Sequence, residues 1–133
     1  MNPRASSTAS PVVALVLGLV IPGAGHAYAG RWGKAILFFS LITGLVAAGM
    51  ILGQGTVLKI ELWYAAQLWA GGPVWALTPL SYLATWGPVD YASRVHEIAT
   101  LYTAVAGFLN LLVMMDAYIR VAYPDRHATE EEG

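Results

Sequence analysis

Between Lys34 and Lys59 lie 24 residues without one charged side chain, AILFFSLITGLVAAGMILGQGTVL. At 1.5 Å of rise per residue, Ala35 to Gly53 alone makes about 28 Å of helix, close to the hydrocarbon thickness of a bilayer. The run predicts an integral membrane protein, so the rest of the chain is read with lipid as its solvent. Composition agrees. Hydrophobic residues are 57% of the chain and charged ones 11%, against roughly 25% charged in an average soluble domain. The net charge of −1 offers no basic surface for nucleic acid. Absence of cysteine excludes disulfides, thiolate chemistry and Cys-ligated metals.

The spacing of charges and helix breakers divides the chain into five parts. Residues 1–10 are polar, and the apolar run that follows, with Pro22-Gly23-Ala24 behind it, imitates a signal peptide only loosely. Residues 11–53 read as a helical hairpin of two spans. The first covers about 11–29, with Pro11 suited to a helix start and a bend near Pro22. The turn Gly30-Arg31-Trp32-Gly33-Lys34 leads into the second, over 34–53. Gly49 and Gly53 form a Gly-x-x-x-Gly pair, which lets a neighbouring helix approach closely.

Residues 54–90 are apolar, yet they hold Trp63, Trp69, Trp75 and Trp86 together with Pro73, Pro79, Pro88 and the Gly71-Gly72 pair. Leu58, Leu62, Ala65, Ala66 and Trp69 share a helical face, which predicts a short amphipathic helix over 57–70. Tryptophan concentrates at membrane interfaces, so this segment is expected to lie in the interface or dip part-way into the membrane. The alternatives are an aromatic pocket for a lipid tail, quinone or partner helix, and a fourth, broken span. The third span is expected over 91–123, with Asp90 as its N-cap. Residues 124–133 form an acidic tail expected to be disordered.

In a three-span topology the Arg31/Lys34 turn and Arg120/Arg126 share one side, while Arg4, Lys59 and Arg94 share the other. Four basic residues against three favour a cytoplasmic C-terminus and an N-terminus outside.

An ionisable residue within the membrane is a functional candidate by default. Glu97 and Asp116 are 19 residues apart, or about 28 Å along a helix, so they mark opposite interfaces. Asp116 is expected to pair with Arg120 at i+4 or with Arg31; a proton-carrying role is the alternative. Asn110 lies about 9 Å inside Asp116 and shares a small, polar face with Thr103 and Gly107. Such a face suits an interhelical hydrogen bond. His26, His96 and His127 have no metal-ligand spacing, and no strained serine turn or phosphate-binding loop occurs. Neither a catalytic residue, a metal nor a cofactor is expected.

The stretch from Pro22 to Lys34, Pro-Gly-Ala-Gly-His-Ala-Tyr-Ala-Gly-Arg-Trp-Gly-Lys, resembles the two-transmembrane-helix (TM-two) domain. Thr103 to Leu112, followed by Asp116-Ala117-Tyr118, resembles a bacterial family of uncharacterised three-span proteins carrying such a hairpin. The resemblance implies an all-α membrane fold, a bacterial inner-membrane location and no established enzymatic chemistry. In this reading Pro22, Gly23, Gly25, Gly30 and Gly33 pack the hairpin, Tyr28 and Trp32 lie at headgroup level, and His26 faces the partner helix or the interface. The expected function is that of a small accessory or scaffolding subunit of a larger membrane complex. The alternatives are a homo-oligomeric transporter or channel component built on Asn110 and Asp116, and a lipid or quinone binder built on the tryptophans.

Overall fold

The computed structural model describes residues 9–59, 61–83, 88 and 90–124, with the side chains of Lys59, Glu61 and Leu62 left aside. Arg4, Trp86 and the acidic tail beyond Pro124 lie outside the described residues, as does most of the polar N-terminus. Six α-helices occur among them: α1 (Pro11–Val20), α2 (Ala24–Tyr28), α3 (Trp32–Leu52), α4 (Glu61–Gln67), α5 (Gly72–Leu83) and α6 (Arg94–Ala122). Short 3-10 turns at Val57–Lys59 and Leu68–Ala70 flank α4.

Two of these helices are long and apolar enough to cross a membrane. α3 has 21 residues and a mean hydropathy of 2.4, α6 has 29 residues and 1.9. They run antiparallel. Near the end of α3, Gly49 packs on α6, where an added Cβ would sit 2.8 Å from the Ala99 carbonyl. At the other end, the segment preceding α3 meets Asp116 through His26. Ile42, Val46, Met50, Ala99, Ala106 and Val113 form the core between them.

The first apolar stretch departs from the expected bent span. α1 stops after ten residues, and Gly23, at φ +83°, turns the chain back. Pro22 cannot donate a helical hydrogen bond, and only glycine adopts that left-handed φ without strain. α2 then retraces α1. Gly25 lies against the Ala14 carbonyl, and the Ser10 amide donates to the Tyr28 hydroxyl at 3.2 Å. Residues 10 and 28 therefore sit at one level and the turn at another, about halfway along α6.

Among the described residues of 54–90, α4 and α5 form a second hairpin of the same kind, entering from the opposite end of α6. The expected amphipathic helix over 57–70 is instead a 3-10 turn, the seven-residue α4 and a second 3-10 turn. Tyr64 and Thr78 hydroxyls meet at 3.2 Å, and Trp75 Nε1 donates to the Leu68 carbonyl at 3.2 Å, so α4 and α5 are paired antiparallel. Gly71, at φ +76°, makes the turn between them. This hairpin does not lie flat on the exterior. Its tip is seated on the middle of α6, with the Ala66 carbonyl against Gly107, where a small residue leaves room for backbone contact.

The start of α6 also differs from expectation. The helix begins at Arg94, and Ser93, not Asp90, is its N-cap, its hydroxyl accepting from the His96 amide at 3.2 Å. Asp90 instead accepts from the Ala92 amide at 3.0 Å, closing a local turn. Both residues cap well, and the one adjacent to helical backbone wins.

Candidate functional site

The tips of the two hairpins meet. The carbonyls of Leu19 and Val20, ending α1, lie directly against Gly71 and Gly72, where α5 begins. Asn110 of α6 ties this junction together. Its Nδ2 donates to the Gly18 carbonyl at 3.1 Å and to the Trp69 carbonyl at 2.8 Å, so one amide holds three segments. Asn110 is fully buried, and its Oδ1 has no partner among the described residues. Two helix ends leave orphan backbone groups at this depth, and the amide answers two of them.

Two turns toward the start of α6, Gln67 Nε2 donates to Thr103 Oγ1 at 2.7 Å and to the Val57 carbonyl at 3.1 Å. The Thr103 hydroxyl donates in turn to the Thr100 carbonyl at 2.8 Å. This network fastens the second hairpin to α6 as Asn110 fastens its tip. The stripe of Thr103, Gly107 and Asn110 is therefore a packing face whose partners lie within the chain.

The third polar group lies near the end of α6. Arg120 Nε donates to Asp116 Oδ2 at 2.8 Å, the expected i+4 pair. His26 joins it from α2, with Nε2 3.4 Å from the same carboxylate oxygen and its ring 5.1 Å from that of Phe38. His26 is fully buried. Its 90-residue separation from Asp116 left no local signal for the pairing. Among the described residues no group of three His, Asp or Glu could hold a metal.

The glycines expected to pack the first hairpin separate into two groups. Gly23 abuts the Ala35 carbonyl, Gly25 abuts Ala14 and Ala117, and Gly49 and Gly53 contact α6 or Val57. An added Cβ on Gly30 or Gly33 would meet nothing within 4 Å. Gly30 serves the turn, at φ +77°, and neither residue packs a helix. Pro22 is buried at the break, and Tyr28 holds the start of α1. Trp63, Trp69 and Trp75 are all partly exposed. Trp63 lines a cleft of about 480 Å³ where α4 meets the start of α6.

One family model matches residues 13–129, the whole arrangement from α1 to beyond α6. The chain belongs to the family of unknown function DUF6677. DUF6677 is an uncharacterised family, and the match confirms neither the TM-two hairpin domain nor the bacterial three-span family. No curated protein and no solved structure matches the chain. Membership of DUF6677 thus identifies the fold unit as a whole and assigns it no chemistry.

Proposed function

We propose that this DUF6677 member is an integral protein of the bacterial inner membrane, acting without catalysis as an accessory or scaffolding subunit of a larger membrane complex. The observation that carries the reading is where the interior donors go. Asn110, Gln67 and Thr103 spend their donors on backbone carbonyls and on one another, so they weld segments together and line no path. Meanwhile the outward faces of α3 and α6 are apolar. Ile36, Leu37, Ile51 and Leu112 are 64%, 60%, 68% and 66% exposed. A soluble monomer rarely shows contiguous apolar surface beyond a few hundred Å², which supports lipid and partner helices as the surroundings.

The opposed hairpins support a third crossing made of two half-helices. α1 and α5, of 10 and 12 residues, amount to about 15 and 18 Å of helix, together near one hydrocarbon thickness. Irregular backbone at membrane depth must be enclosed by protein, and Pro22, Gly23 and Gly71 are buried. This topology changes the charge count. Because the first hairpin returns, Arg31, Lys34 and Arg120 of the described basic residues share one side with Ser10 and Pro124, and Lys59 and Arg94 lie on the other. Three against two supports a cytoplasmic location for Ser10 and Pro124, where the three-span reading had the two ends of the chain on opposite sides.

The test is purification of the native protein in mild detergent, with mass spectrometry of everything that co-elutes. A stoichiometric larger membrane protein is the expected result. A lone homo-oligomer that conducts a solute after reconstitution would refute the accessory role. It would favour the transport reading, for which the meeting of two half-helices at mid-depth is the supporting observation.

A further inference from the structure

The cleft where α4 meets the start of α6 brings aromatic, carboxylate and apolar side chains together. Trp63, Tyr91, His96, Glu97, Ile98 and Leu101 line its volume of about 480 Å³. Trp63 and Tyr91 are 45% and 56% exposed and offer aromatic faces. Glu97, in the first turn of α6, offers an exposed carboxylate. His96 is only 5% exposed, and its Nε2 has no hydrogen-bond partner among the described residues. Its ring is fixed by an edge contact with Tyr91, at 5.1 Å between centroids. Ile98 and Leu101 continue the lining along α6 as apolar wall.

Each part constrains the occupant. Aromatic faces beside a carboxylate attract a cation, and a carboxylate accepts charge-assisted hydrogen bonds from an ammonium N–H. The apolar wall suits an acyl chain. An ammonium cation and a hydrocarbon chain together describe an amine-headed lipid.

We propose that this cleft binds a single phospholipid with a primary-ammonium headgroup, on the side of the membrane opposite Ser10 and Pro124. The ammonium lies against Trp63 and Tyr91 and bonds Glu97, and an acyl chain follows Ile98 and Leu101. The site rests on the membrane reading given above. Anionic phosphatidylglycerol has no cation for the aromatic faces and is repelled by Glu97. Phosphatidylcholine satisfies the aromatic faces but has no N–H for the carboxylate.

The test is native mass spectrometry of the full chain in detergent, offered dioleoyl phosphatidylethanolamine, phosphatidylcholine or phosphatidylglycerol in turn. Phosphatidylethanolamine is expected to be retained at one copy per chain, about tenfold more tightly than phosphatidylglycerol. Glu97→Gln and Trp63→Ala are each expected to weaken it about tenfold; both residues are exposed, so the fold survives their loss. Equal retention of phosphatidylglycerol, or no effect of either variant, would overturn the site. Soluble glycerophosphoethanolamine at millimolar concentration is expected not to displace the lipid, and displacement would overturn the lipid as the source of the headgroup. Resistance of the native protein to alkaline carbonate extraction tests the membrane reading separately, so failure of one is distinguishable from failure of the other.

Discussion

Replacing Asn110 by alanine removes a side chain that binds both hairpins to α6. Two donated bonds disappear, to Gly18 at 3.1 Å and Trp69 at 2.8 Å, and both carbonyls are left among apolar neighbours. Side-chain bonds between membrane helices average about 0.6 kcal/mol and reach about 1.7. Two of them, with the packing lost by truncation, give an expected destabilisation of about 1–4 kcal/mol. Asn110→Asp keeps the shape, removes the donors and adds a charge, so it is expected to cost more than Asn110→Ala. The assay is reversible unfolding in mixed micelles, followed by tryptophan fluorescence and calibrated with Leu112→Ala. Leu112 faces outward at 66% exposure, and its loss is expected to stay within about 0.5 kcal/mol. If Asn110→Ala falls in that same range, the amide does not hold the junction and the account of the fold's centre is wrong.

Other consequences of the packing can be measured directly. Gly107→Ala sets a methyl group against the Ala66 carbonyl and is expected to destabilise by about 1–3 kcal/mol, whereas Gly44→Ala, with open space around it, is expected to be neutral or to gain up to about 1 kcal/mol; thermal melts in detergent separate the two. Ser93→Ala removes the cap of α6 and is expected to cost about 1 kcal/mol, with Asp90→Ala costing less, and the reverse order would reassign the cap. The chain has no native cysteine, so single cysteines report topology without background. Ser10→Cys and Pro124→Cys should react with an impermeant maleimide from the cytoplasmic face, Gln54→Cys and Asp90→Cys from the opposite one. Opposite-face labelling of Ser10→Cys and Pro124→Cys would sink the returning first hairpin.

The parts of this fold that could be read from sequence are those fixed by local physics. Uninterrupted apolar length marks α3 and the body of α6, and i+4 spacing gives the Asp116–Arg120 pair. Pro22-Gly23 reveals that a helix stops, because a missing N–H and a left-handed φ are properties of those residues alone. It does not reveal where the chain goes next. That direction is decided by Gly25 on Ala14 and by Tyr28 on Ser10, contacts that a bent, continuing helix would never make. The tryptophans say nothing of the packing for a related reason. Their abundance speaks for an interface, whereas the place of the second hairpin on α6 is set by close backbone approach at Gly107, with Gly71 and Gly72 against the end of α1. Asn110 was identifiable as a polar residue in need of partners. Its partners are backbone carbonyls 92 and 41 residues away, which carry no side-chain signature. Broken helices are costly in lipid unless their loose ends are enclosed. A buried asparagine facing two glycine-punctuated stretches is therefore evidence, legible once that cost is considered, that the breaks lie together.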